Sequence, residues 1–465
     1  MQYFKPTEDH LFVGDCMPFF HDGVFHLYYL LDEGHHSSKG GLGAHQWAHA
    51  STTDLVGWRY HPLAIPITAE WEGSICTGSV LWHDGLYYGY YATRMPDRSQ
   101  HLGLATSEDG IHFAKTLPNP LASPGEEYTT SYRDPCVFRD EAAGLFHMLI
   151  TSALREYPPA GKGGCLAHLV SPDLRDWRAA DPFIIPGYPG DPECPDYFAW
   201  HGWYYLVFSN EGITRYRMSR QPLGPWTRPP CDRFDGPMAR VMKTAAFTGD
   251  RRIGMAFLPT LQDDRDDGAW LYAGNAVFRE IIQHDDGTLG TRFPPEMTPA
   301  TAEPLALDIA RVSGEVSGDG RALTVSARDC FGAAMMQDVP TQARITLDVI
   351  PEPSSARFGL CLRAQADLQQ GYELRFSPGE QRAEIRGPQW GELVDNAGRS
   401  IHGLEGLDRP FSLEIVQTGD IIDVCIDGRR TLVTRCPQVA GDRLFFWCHN
   451  ARVAFNNIRI APLAM

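Results

Sequence analysis

A chain of 465 residues is long enough for two or three domains, each with its own core. Its formal net charge of −17 excludes nucleic acid and anionic membrane as partners, because both need a positive field, and no apolar run approaches the ~18 residues of a membrane helix. The rest of the composition, 43% apolar and 11% aromatic, suits a strand-rich globular protein or a stacking site for a neutral ligand such as a sugar.

The opening MQYFKPTEDHLFVGD has no basic segment followed by an apolar one, so the expectation is a cytoplasmic protein without a signal peptide. Along the chain, five segments share one design of strand, short turn and strand. They begin at Met17 (MPFFHDGVFHLYYL), Ser79 (SVLWHDGLYYGYYA), Pro135 (PCVFRDEAAGLFHMLI), Asp196 (DYFAWHGWYYLVFS) and Ala245 (AAFTGDRRIGMAFL). The turns His21-Asp22-Gly23, His83-Asp84-Gly85 and His201-Gly202 carry the glycine that a tight hairpin requires.

A second motif follows four of these hairpins: STTDLVGW from Ser51, SEDGIHF from Ser107, SPDLRDW from Ser171 and SRQPLGPW from Ser219. Each supplies a third strand, a turn and an aromatic that opens a fourth. A strand-only unit repeated five times predicts an all-β five-bladed propeller over residues 1–295. FPPEMTPATAEP, residues 293–304, reads as a linker, and the alternating strands of residues 305–465 predict an antiparallel β-sandwich.

In a propeller the first strand of each blade lines the axis. Just upstream of the hairpin turns lie Asp15, Thr77-Gly78-Ser79, Arg133-Asp134, Glu193 with Asp196, and Lys243, one set for each blade. Three carboxylates, Asp15, Asp134 and Glu193, are therefore expected at one axial site. Two close carboxyl groups are what glycoside hydrolysis needs, one to attack or activate water and one to protonate the leaving oxygen. Crowding of like charge raises one pKa and supplies that acid form. Arg133, beside Asp134, suits a grip on sugar hydroxyls. Eleven scattered cysteines, without zinc spacing, read as free thiols. His35-His36 has no carboxylate at ligand spacing, so no metal and no cofactor is expected.

At these residues the chain resembles glycoside hydrolase family 32, the invertase, inulinase and levanase family of β-fructosidases. Trp47, His49, Ala50, Asp54, Leu55 and Trp58 look like that family's Trp-x-His-Ala…Asp-Leu-x-x-Trp block. Cys76-Thr77-Gly78-Ser79, Tyr132-Arg133-Asp134-Pro135 and Glu193-Cys194-Pro195-Asp196 are similar to three more of its motifs. The resemblance implies a retaining mechanism with Asp15 as nucleophile, Glu193 as acid and then base, and Asp134 holding the furanose. It also implies Arg133, Thr77 and Ser79 near the sugar, with Trp47 and Trp71 as candidate pocket walls. Gly14-Asp15-Cys16-Met17-Pro18 departs from the family's Asn-Asp-Pro-Asn-Gly, so both asparagines and their hydrogen bonds are gone. The expected substrate is a small fructoside. Two other readings stay open: an inverting furanosidase of the family 43 type, and a non-catalytic carbohydrate-binding propeller.

Overall fold

Each predicted hairpin is present in the computed structural model, which describes residues 2–464 apart from 117–120, 122–124, 307, 369 and 388–398. Blade one is β1 (Leu11–His21), β2 (Val24–Glu33), β3 (Gln46–Thr52) and β4 (Arg59–Ile65). Blade two is β5 (Ser74–His83), β6 (Leu86–Arg94), β7 (Gln100–Ser107) and β8 (Ala114–Lys115). Blade three is β9 (Tyr128–Asp140), β10 (Leu145–Leu154), β11 (Gly164–Ser171) and β12 (Arg178–Ile184). Blade four has β13 (Glu193–Trp200), β14 (Trp203–Asn210) and β15 (Ile213–Ser219), with a bridge from Met218 to Thr227 where a fourth strand would lie. Blade five is β16 (Arg240–Phe247), β17 (Arg251–Leu261) and β18 (Trp270–Gln283). The paired strands within blades one to four, and β16 with β17, are antiparallel, and blades five and one are joined where Val13 pairs with Gly274. Residues 2–4 run beside β18, with the Ala276 amide donating to Phe4 O and the Asn275 side chain to Tyr3 O, both at 2.8 Å.

The hairpin turns use positive φ at both central positions. Asp22 and Gly23 have φ of 47° and 76°, Asp84 and Gly85 47° and 83°, and His201 and Gly202 45° and 75°. That is the backbone twist that matches a two-residue loop to right-handed strands. The turn between third and fourth strands also repeats. Asp54, Asp109 and Asp173 each accept two backbone amides through Oδ1, and a hydroxyl two residues earlier supports them, from Thr52, Ser107 and Ser171. In blade one the repeat thus starts at Thr52 rather than Ser51.

Between strands two and three of blades one and three lie matching histidine pairs, His26 with His49 (Nδ1 to Nε2, 3.0 Å) and His147 with His168 (2.8 Å). Burial holds all four imidazoles neutral, pushing His26 and His168 down to about 4 and His49 to about 2. An unfolded histidine binds its proton near pH 6.5 while these do not, so stability is full above 6.5 and is lost as pH falls toward 4. His26, His49 and His168 each contribute a slope of up to about 1.4 kcal/mol per pH unit in that window, and His147 acts in the same direction. The urea midpoint is therefore expected to drop between pH 6.5 and 5, before ordinary carboxylates titrate. A midpoint constant over that range would contradict the neutral pairs.

By contact density the chain divides into two units. The first holds residues 1–233, 239–259 and 271–289, and the second 234–238, 260–270 and 290–465. In the second unit the long strand Arg443–Pro462 pairs with Leu323–Met336, Ala343–Pro351 and Arg357–Ala364, so hydrogen bonding is continuous across both layers of the sandwich. Its core is Phe358, Phe376, Phe411, Phe446 and Phe455 with a shell of isoleucine, leucine and valine, contributed by alternate residues of each strand. Asp266 accepts from Tyr372 Oη at 2.9 and 3.0 Å, fixing the segment 260–270 within this unit. No helix among the described residues is long and apolar enough to cross a membrane.

Candidate active site

In every blade the innermost strand carries one extra residue at the same place. Three steps along β1 from Val13 to Cys16 face two steps along β2, and the same three-against-two slip separates Ile75 from Gly78, Arg133 from Cys136, Glu193 from Asp196 and Arg240 from Lys243. A bulge breaks the strict alternation of a strand and re-aims its side chains. Counting four places across each bulge, Glu193 holds the first place in its blade, Asp134 the second and Asp15 the third. The three acids are thus staggered by one place each, whereas the sequence spacing suggested corresponding positions. Asp134, Cys194 and Val241, all at the second place, have φ of 57°, 52° and 56°. For the β-branched valine this conformation costs about 1–3 kcal/mol.

The fourth place forms a tight floor. Lys243 is buried, and its Nζ donates to Gly78 O at 3.0 Å and Pro195 O at 2.8 Å, tying blades two, four and five together. Gly78 must be glycine, since a Cβ there would lie 1.8 Å from Tyr90 O. Asp196, also at the fourth place, accepts from the Thr244 amide (2.9 Å) and hydroxyl (2.6 Å) and so belongs to the scaffold.

Asp15 receives three side-chain donors from three blades. Thr77 Oγ1 lies 2.5 Å from Oδ2, Cys194 Sγ 3.4 Å from the same oxygen, and Tyr272 Oη 3.0 Å from Oδ1. Tyr272 escaped the sequence reading because it lies in a long third strand of blade five with no motif around it. It explains the altered nucleophile segment. A Cβ on Gly14 would come within 2.8 Å of Tyr272 Oη, so the glycine makes room for a hydroxyl that serves the aspartate. Tyr272 is held by His35, whose Nδ1 is 2.8 Å from its carbonyl, and by His45, stacked at 5.4 Å between ring centres.

Cys194 links the second acid to the first, since its amide donates to Asp134 Oδ2 at 3.2 Å while its thiol contacts Asp15. Burial raises the Asp134 carboxyl, with Arg133 opposing and Asp15 adding to the rise. Glu193 follows the same logic. Burial raises it most, Arg133 pulls it down, and Asp134 and Asp15 push it up, for a net rise above the ordinary carboxyl value. Arg133 is committed to acids. Nη2 donates to Glu193 Oε1 at 2.9 Å, Nη1 reaches Asp191 Oδ2 at 3.3 Å and the Ser131 hydroxyl, and Nε lies 3.6 Å from Asp134 Oδ2. Asp191, two residues ahead of Glu193 and outside the motif, shares the charge of Arg133 and accepts from Ser131 at 2.6 Å.

Three expected pocket residues make other contacts. Trp47 is fully buried among Met17, Tyr28, Ile75 and Tyr91, and its Nε1 donates to Cys76 O at 2.9 Å; the indole is core, because apolar area of that size gains most from complete burial. Ser79 Oγ accepts from the Val137 amide at 3.1 Å, so it fastens blade two to blade three. Trp71 is half-buried in the turn ahead of β5, beside Glu72, which pairs with Lys115 at 2.6 Å. Thr77 alone of the expected neutral contacts meets an acid.

Contrary to the expectation for His35-His36, His36 does have a carboxylate partner in Asp32. Asp32, from the end of β2, accepts from the His36 amide at 2.9 Å and lies 2.7 Å from His45 Nε2, and the three side chains bring ligand atoms within 4.8 Å of one another. Arg94 Nη1, 2.5 Å from His36 Nε2, already supplies a cation to this cluster. Burial opposes charge on His45, but the bonds to Asp32 and Cys76 outweigh it and lift the imidazole to about 9.

Residues 15–226 match the Glycosyl hydrolases family 32 N-terminal domain. Among curated proteins the chain is 30% identical to the sucrose-6-phosphate hydrolase of Bacillus subtilis, over 37% of this chain and 36% of that protein. It is 27% identical to the levanbiose-producing levanase of Geobacillus stearothermophilus, over 46% and 50%. The chain thus spans half or less of the length of these relatives. Among solved structures it is similar to fructan 1-exohydrolase IIa from Cichorium intybus, with a TM-score of 0.74 at 17% identity over 99% of this chain and 96% of that one, which bears out the propeller-and-sandwich fold. The family match begins at the Asp15 bulge and runs through blade four, so residues 15–226, which take in all three converging acids, are similar to that family's N-terminal domain.

Proposed function

We propose that the protein is a retaining glycoside hydrolase that cleaves β-fructofuranosidic bonds in small fructosides. The observation that carries this reading is Cys194: one residue, adjoining Glu193, holds the carboxylates of both Asp15 and Asp134. Asp15 attacks the anomeric carbon as Glu193 gives its proton to the departing oxygen. Glu193, now a carboxylate, takes a proton from water, and the resulting hydroxide displaces Asp15. Asp134, fixed between the Cys194 amide and Arg133, accepts from furanose hydroxyls. Arg133 acts through the acids rather than on the sugar.

Three donors on Asp15 favour the retaining mechanism over an inverting one, because a nucleophile must be aimed whereas a base need only reach water. Proton NMR of the first-formed anomer from an aryl β-fructofuranoside tests it, with β-fructofuranose expected. Initial α-anomer would install the inverting alternative, and no turnover of any fructoside would favour a sugar-binding propeller.

A further inference from the structure

A cavity of about 620 Å³ lies off the axis, between the start of β9 and the outer strands β11 and β12 of blade three. Adjacent residues of a strand emerge on opposite faces, so Arg133 meets the axial acids while Tyr132 turns away into this cavity. Tyr128 joins it there, the two rings 6.2 Å apart between centres. Trp177, just ahead of β12, supplies another wall and is held edge-to-face against Tyr90 of blade two at 6.0 Å. The turn that presents Trp177 is fixed in its own right, since Asp173 Oδ1 accepts the Arg175 and Asp176 amides at 2.9 Å.

The two tyrosines are 5% and 3% exposed, yet their hydroxyls make no hydrogen bond among the described residues. Burial first, and then neighbouring charge that includes Glu127, raises both phenols, Tyr128 to about 12, so each keeps its proton as a donor. Trp177 Nε1 also lacks an acceptor. Buried donors left unpaired are costly, so a ligand that fits here brings oxygens to them. At the rim the carboxylates of Glu127 and Asp176 balance the guanidinium groups of Arg175 and Arg178, which leaves no net field to draw an ion. Aromatic walls, convergent donors and a rim of both signs suit a ring of hydroxyls, whose apolar face lies on an arene while its oxygens meet the polar tips. We propose that this cavity is a second, non-catalytic site that binds a neutral saccharide of one or two rings. It stands apart from the axial chemistry and does not depend on it.

Fluorine NMR of the full chain grown on fluorotryptophan tests it, with the Trp177 resonance assigned by its loss in Trp177→Phe. The probes are fructose, glucose and sucrose, the last in an Asp15→Asn background that leaves it uncleaved, and inorganic phosphate. At least one sugar is expected to shift the Trp177 resonance saturably. Tyr128→Phe combined with Tyr132→Phe keeps both rings and removes both donors, and is expected to weaken that binding by about tenfold. The remaining tryptophan resonances, unmoved by the double substitution, report that the fold is kept. A Trp177 resonance that no sugar moves, a sugar shift that survives the double substitution with equal affinity, or a stronger response to phosphate than to any sugar overturns the proposal. No arm requires a fructoside to be cleaved, so a failure of the axial reading leaves a positive result standing. A negative result in a protein that does hydrolyse fructosides strikes this cavity alone.

Discussion

Asp15→Asn and Asp15→Ala are each expected to lower kcat on an aryl β-fructofuranoside by about 10⁴- to 10⁶-fold, the range seen when a covalent nucleophile is removed. No second group can take over the attack. Cys194 Sγ, at 3.4 Å from Asp15, is the nearest candidate, but burial and the three surrounding carboxylates keep it a thiol. The two variants separate chemistry from stability. Asparagine retains an oxygen for Tyr272 or Thr77, while alanine leaves the Thr77 hydroxyl, itself buried, without its acceptor. The thermal midpoint should therefore fall more for alanine, while the activity loss is common to both. Activity within about tenfold of wild type in either variant would remove Asp15 from the reaction.

Glu193→Ala is expected to act differently on different leaving groups. Sucrose, whose departing oxygen needs a proton, should lose about 10²- to 10⁴-fold in kcat/KM. An aryl fructoside with an acidic phenol departs unaided, so a burst of phenol should precede a slow steady state limited by water without a base. Azide, which needs no base, should speed that second step. The pH profile supplies an independent sign. Burial and the neighbouring aspartates raise the Glu193 carboxyl, so activity is full below that raised pKa and is lost as pH rises through it. In Glu193→Ala the basic limb of the sucrose profile should vanish. A wild-type basic limb at the ordinary carboxyl value, or one that persists in the variant, would assign the acid role to another group.

The two losses also bear on Arg133. It donates to Glu193 at 2.9 Å yet shares its charge with Asp191, which limits how far it can stabilise the glutamate as an anion. The polar stretch Asp191-Pro192-Glu193 thus contains both the candidate acid and the group that tempers its arginine partner. Residue order alone distinguishes neither from a solvated loop.

The blades were legible along the chain. Period-two alternation and Asp-Gly or His-Gly turns are local properties, and a strand pair closed by two residues with positive φ has one workable register. Repetition then set the number of blades, and the acids ahead of the hairpins marked the axis. Which side chains meet there depends on how the strands pair and the ring closes. Trp47 and Ser79 sit in motifs beside the site yet serve core and inter-blade contact: the indole gains most from complete burial, and Ser79 lies one residue past the β5 bulge, which changes the face on which it emerges. Tyr272, 257 residues from Asp15, and Arg240, which feels the charge of Glu193, come from blade five, beyond the stretch that carries the family motifs. Their roles depend on ring closure, a long-range event that leaves no spacing to read along the chain. The five aligned bulges and the stagger of Asp15, Asp134 and Glu193 across three successive places belong to the same class of fact. They are properties of strand pairing, set by which backbone groups find partners across the sheet.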